Sequence, residues 1–180
     1  LNDLVQDTIA INALIERTEV YKENINNYFS YMDSLQPSSS NLKKLSDSLS
    51  NVRFLYMKYY PINNSFKQME TTGNGELLTK KQRDFLMNLL SDQEEIDIII
   101  DNQLQIAVKN KDKSDELSGF PSSIYQKLNA TNSKDKQIQA LIHTHLWMKA
   151  VDNLYYYIEI RGERIKKKIQ NNIDLFITNP

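Results

Sequence analysis

The two histidines of this chain, His143 and His145, are the first place to look for a metal. A helical histidine pair that shares one zinc ion needs a spacing of four, so that both rings leave the same face. A spacing of two turns them apart by about 200°. Asp135 and Asp152 stand at offsets that do not complete a ligand set. With no cysteine in the chain, thiolate chemistry is excluded as well. No metal or other cofactor is expected. Asp97 and Asp101 lie one helical turn apart. Two carboxylates in a dry cleft can divide general acid and base roles. On a solvated helix face they are ordinary charges, and that is the reading adopted here. Glu159, Arg161, Glu163 and Arg164 read as ion pairs along the surface of a single helix. Lys166, Lys167 and Lys168 read as a solvated basic face, with contact to anionic lipid as the sharper alternative.

The aromatic residues offer the best binding chemistry. Tyr56, Tyr59 and Tyr60 precede Pro61, with Arg53 about one turn back. Trp147 lies about two turns before Tyr155, Tyr156 and Tyr157. Aromatic walls with a guanidinium can hold a small ligand or a carboxylate between helices. The candidate ligand-binding residues are therefore Arg53, Tyr56, Tyr60, Trp147, Tyr155, Tyr156 and Arg161. The competing reading is that these aromatics are core and boundary residues, since consecutive helical positions point about 100° apart and three tyrosines cannot share one narrow stripe.

Composition narrows the elements that could position these groups. The chain has 180 residues, of which 40% are hydrophobic and 25% charged, as in an ordinary globular domain. Only 4 glycines and 4 prolines are present, too few for the turns of an all-β domain or for a Gly-rich phosphate cradle. A net charge of -1 argues against a dedicated nucleic-acid binder.

Apolar residues recur at steps of three and four through every long segment, the period of an amphipathic helix. This predicts long helices over 2–35, 41–59, 80–109 and 134–177, with short helices over 65–72 and 120–128. Residues 109–119 are expected to form a polar, mobile loop. Thr79 and Gln82 make a capping box. Asn64 or Ser65 is expected to cap the short helix, and Gly73 to end it in the left-handed conformation. Gly162 sits on the apolar stripe and marks either a kink or a close approach by another helix. The expected fold is all-α: one elongated up-down bundle of four long helices with two short helices in the connections. An even number of long helices puts the first and last residues at the same end. The connection over 61–82 would then pack over that end through Phe66, Met69, Leu77 and Leu78.

The stretch Pro61 to Leu86 carries Asn64-Ser65, Phe66, Met69, Thr71-Thr72, Gly73, Leu77-Leu78 and Arg83 in order. It resembles an uncharacterised family of bacterial membrane-anchored proteins, in which an N-terminal transmembrane helix precedes an extracytoplasmic helical region. The opening Leu1-Asn2-Asp3-Leu4-Val5-Gln6-Asp7 is similar to the segment after the membrane helix in such proteins. The resemblance covers about a sixth of the chain and its motif is one of helix punctuation. It implies the soluble, extracytoplasmic (periplasmic) part of a longer chain, tethered through a segment not included here. It transfers no functional residue.

These readings lead to a non-enzymatic sensing or interaction domain of a membrane-anchored protein. The alternative is a helical scaffold or adaptor without a small ligand. The partners left open are a small ligand, a protein or a second copy of the chain. Nothing in the residues supplies a nucleophile with its base, a metal set or a phosphate loop.

Overall fold

The computed structural model describes residues 1–33, 58–118 and 134–178. Among them the chain is all-α and contains no strand. The elements are α1 (Asn2–Asp33), α2 (Asn64–Thr71), a 3₁₀ turn (Asn74–Leu77), α3 (Lys80–Ser118) and α4 (Lys134–Thr178). No helix among the described residues is long and apolar enough to cross a membrane.

The expected boundaries hold for α1, α2 and α4 to within one or two residues, where they fall on described residues. The helix expected over 41–59 lies almost wholly outside the described residues, and its last two, Lys58 and Tyr59, are not helical. The short helix expected over 120–128 lies outside them too. The loop expected over 109–119 is corrected: α3 continues to Ser118. Polar composition misled here because the segment supports its own helix. Asn110 Nδ2 donates to the Ile106 carbonyl at 2.8 Å, while Lys111 pairs with Asp115 at 2.8 Å and Lys113 with Glu116 at 2.9 Å. Pairs at these offsets stabilise a helix, and Ser114 gives the segment a buried anchor.

The chain forms two compact units, one of Leu1–Thr18, Met57–Asp101 and Tyr156–Pro180, the other of Glu19–Tyr56 and Asn102–Tyr155. The first unit buries Ile11, Ile15, Ile96, Ile100, Ile158 and Ile165 as its central layer. α1 and α4 approach closely at Gly162. A Cβ placed there would lie 2.9 Å from Ile15 Cγ1. α4 runs through Gly162 as continuous helix, and the missing side chain there makes room for Ile15. Charged ties join α3 to α4 in the same unit. Asp92 Oδ2 forms ion pairs with Arg164 Nε at 2.8 Å and Lys168 Nζ at 2.7 Å, Arg164 Nη2 donates to Asp92 Oδ1 at 3.1 Å, and Glu95 pairs with Arg161 at 2.9 Å. Arg161, Arg164 and Lys168 thus reach across to a second helix, which corrects the reading of these charges as pairs along one helix or as a solvated face.

The second unit packs Ile25 and Tyr28 of α1, Leu104 and Ala107 of α3, and Met148, Val151 and Leu154 of α4. Hydroxyl and imidazole groups tie its helices together. Ser114 Oγ lies 2.8 Å from Thr144 Oγ1 and donates to the Ala140 carbonyl at 3.1 Å. His143 Nδ1 lies 2.9 Å from Asn110 Oδ1 on α3, whereas His145 Nδ1 lies 3.3 Å from the Tyr28 hydroxyl on α1. The two imidazoles serve different helices, as a spacing of two dictates.

Gly162→Ala tests the close approach. Helix propensity alone would favour alanine by roughly 1 kcal/mol. Overpacking against Ile15 costs typically about 1–3 kcal/mol, so the expected outcome in urea denaturation is a net loss of stability. Ile15→Ala should cost less in the Gly162→Ala background than in the wild type, because the new methyl occupies the vacated space. A stabilised Gly162→Ala variant would contradict this packing.

Candidate functional site

Asp7 sits one turn into α1 and is wholly buried. It shares the apolar stripe with Leu4 and Ile11, so helix geometry carries a carboxylate into the core. A buried carboxylate needs donors. Tyr59 supplies its hydroxyl at 2.8 Å from both oxygens, Ile62 its backbone N–H at 3.0 Å, and Gln93 its Nε2 at 2.6 Å. Gln93 in turn accepts from Asn63 Nδ2 on its Oε1 at 3.1 Å. No basic side chain joins this set of contacts. Burial therefore dominates the electrostatics and raises Asp7 above its ordinary carboxylate value, against the opposing hydrogen bonds from Ile62, Tyr59 and Gln93. Burial, with Asp7 beside it, likewise raises the Tyr59 phenol, which stays protonated and donates.

The donors lie where they do because the chain between Lys58 and Asn63 is not helical and lies against α1. Pro61 restricts Tyr60 away from helical geometry, and α2 begins at Asn64. The side chain at the N-cap position, Asn63, makes no capping hydrogen bond, because its amide is committed to Gln93. The cap comes instead from Asp3, whose Oδ2 accepts from Ser65 N at 2.8 Å. This corrects the expectation of a local cap at Asn64 or Ser65. Gly73 ends α2 with φ of 75°, and Thr79 and Gln82 cap α3 reciprocally at 2.8 and 3.3 Å, both as expected. Arg83 Nη2 then fastens the 3₁₀ turn through the Gly75 carbonyl at 2.6 Å.

Over this network the first unit forms a pocket of about 110 Å³. Its walls come from the first turn of α1 (Leu1, Leu4), from α2 (Phe66, Met69), from α3 (Leu86, Leu89, Leu90) and from Phe176 of α4, with Leu78 and Ile62 between. Its polar lining is Asp3, Asn63, Ser65 and Gln93. Phe66 is buried and Leu78 half-buried, but Leu77 is 78% exposed, so the expected packing role of Leu77 is corrected. Leu1 and Phe176 line the same pocket, so the start of α1 and the end of α4 lie together.

The described residues among those picked from sequence do not line this pocket. Arg53 and Tyr56 lie outside the described residues. In the first unit Tyr60 is exposed, with Lys58 Nζ 6.0 Å from its ring centre, and Tyr156 is exposed with its ring edge against Tyr157 at 5.6 Å. Arg161 is held by Glu95. In the second unit Trp147 and Tyr155 are buried core residues, and burial pushes the Tyr155 phenol up to about 12. Asp97 and Asp101 both pair with Lys58, at 3.8 and 3.3 Å, on a half-exposed face. The residues missed were Asp7 and Gln93. Their signal was register: both are polar residues at positions of the apolar stripe, Asp7 between Leu4 and Ile11, Gln93 between Leu89 and Ile96.

Asp7 makes stability depend on pH in a defined direction. Its folded value is raised above the unfolded one, so the folded state binds the proton more tightly. Stability should rise as pH falls from 7 through the folded value, and level off below the ordinary carboxylate range. Measured by urea unfolding, wild type should gain on Asp7→Asn as pH falls. Asp7→Ala should be the most damaging, because each buried donor left without an acceptor costs about 1–3 kcal/mol. A pH-independent difference between wild type and Asp7→Asn would contradict the assignment.

Compared with known proteins, the chain matches no family model, no curated protein and no solved structure.

Proposed function

We propose that the chain is a sensing or interaction module that binds a small apolar or amphipathic ligand in the pocket of its first unit, and that it carries out no reaction. The observation behind this reading is the pocket itself: a concave apolar surface built from four helices, with a few polar groups gathered at Asp3, Asn63, Ser65 and Gln93. Such a composition suits a binding site, in which apolar area supplies affinity and a few fixed polar groups supply orientation. The buried carboxylate behind it is not offered as a catalytic group. Asp7 is wholly buried and its oxygens are taken up by Tyr59, Ile62 and Gln93.

A ligand in this pocket would touch Leu1 and Leu4 at the start of α1 and Phe176 near the end of α4. Occupancy would therefore bear on both ends of the chain at once, which is the mechanical arrangement a transmitter needs. The resemblance of the Pro61–Leu86 stretch to membrane-anchored extracytoplasmic proteins fits this use, and the proposal places the module there.

Hexan-1-ol and benzene, as neutral probes, test the reading. In a two-dimensional amide NMR titration, shifts should concentrate on Ser65, Phe66, Met69 and Leu90. At about 100 times its Kd, a probe that binds only the folded chain should raise the unfolding free energy by about 2.7 kcal/mol. Leu90→Trp, which fills the pocket, should abolish the shifts while leaving the helical circular dichroism intact. Shifts scattered over the surface, or unchanged by Leu90→Trp, would defeat the proposal.

A further inference from the structure

Resting on the reading of this pocket as a ligand site, we infer that its ligand carries a cationic, hydrogen-bond-donating head on an apolar tail, a primary alkylammonium being the simplest member of the class. The argument starts from which polar atoms are already committed. Asp3 is the one charged side chain in the pocket lining, and no lysine, arginine or histidine accompanies it there. Its Oδ2 accepts from Ser65 N. Among the described residues its Oδ1 has no hydrogen bond, and the side chain is half-exposed.

The amides follow the same pattern. Gln93 gives its Nε2 to Asp7 and, at 3.3 Å, to the Tyr59 hydroxyl, and its Oε1 to Asn63. Asn63 commits its Nδ2 to Gln93, leaving Oδ1 without a partner among the described residues. The Gln93 amide donors are engaged, while the uncommitted oxygens of Asp3 and Asn63 are acceptors and the Ser65 hydroxyl can serve either way. An ammonium group carries three donors and no acceptor, and a carboxylate carries acceptors only. The charges agree with the hydrogen bonds. Asp3 lines the pocket and Asp7 lies one turn further along the same helix, so a bound cation meets attraction where an anion meets repulsion. A cavity of about 110 Å³ has room for an alkyl tail of roughly four to six carbons, judged against the engineered cavity of about 150 Å³ that takes benzene.

Three probes that share one tail separate the head group from the pocket: n-hexylammonium, hexan-1-ol and hexanoate. Each is titrated at pH 7 and constant ionic strength and followed by the amide shifts of Ser65, Phe66 and Leu90. Hexylammonium should bind about tenfold or more tighter than hexanoate, with hexan-1-ol between them, as a charge-assisted hydrogen bond to a carboxylate predicts. Asp3→Asn retains an acceptor for Ser65 N and removes the charge. It should bring hexylammonium close to hexan-1-ol, removing the advantage of the charged head. Hexanoate binding as tightly as hexylammonium to the wild type would overturn the head-group inference and leave the pocket reading standing, and this comparison needs no variant to fold. An ammonium preference that survives Asp3→Asn would also overturn it. If none of the three probes moves the pocket amides, the pocket reading itself falls, and the inference with it.

Discussion

The first unit depends on one carboxylate in the wrong place. Asp7 stands where the periodicity of α1 calls for an apolar side chain, and among the described residues its hydrogen-bond partners are all uncharged. Removing a carboxylate from water is expensive unless its oxygens are filled with donors. Here the donors come from positions 59, 62 and 93, so a residue in the first turns of the chain determines the course of a segment more than fifty positions away. Tyr59 delivers its hydroxyl from outside any helix, and the N–H of Ile62 is free to donate because residues 58–63 are outside any helix. Burial of such a group is weak evidence for stability and better evidence for register. A slip of α1 by one residue would turn the carboxylate about 100° away from all three donors.

Asp3, one turn earlier, extends the same logic outward. It caps α2 from a distance, since the side chain that would cap it locally, Asn63, is drawn to Gln93. The first turn of α1 thus holds both the coil over 58–63 and the helix after it. The second unit uses milder means. Ser114, Thr144 and the carbonyl of Ala140 satisfy one another without charge, and each histidine is taken by a different neighbouring helix. Hydroxyl–carbonyl pairs such as those of Ser114, Thr144 and Ala140 cost little to bury once each group has its partner.

What the sequence made legible is what repeats locally. The period of three and four placed α1, α3 and α4, Gly73 placed the end of α2, and Thr79 placed the start of α3. The same local reasoning failed where polar composition was taken for a loop. Residues 109–118 stay helical because their charges pair at offsets of three and four, a pattern that was itself present in the sequence. The site was harder to read. Aromatic residues drew attention, yet Trp147 and Tyr155 are core, while Asp7 and Gln93 were passed over as ordinary polar positions. Their register on the apolar stripe was visible, but their partnership across 86 positions was not, because it depends on which helices pack together.

The chemistry of the pocket follows from the same carboxylate. An ionised carboxylate can only accept, so Gln93 must turn its amide nitrogen toward Asp7. Its carbonyl oxygen then faces Asn63, which must answer with its own amide nitrogen, and that choice leaves the carbonyl of Asn63 as the uncommitted atom. Each orientation is dictated by the one before it, from the buried charge out to the pocket lining. A protonated or amidated Asp7 would lift the first constraint and allow both amides to turn over, presenting donors where acceptors now stand. The buried charge that sets the register of the helix therefore also sets the hydrogen-bonding polarity of the pocket above it.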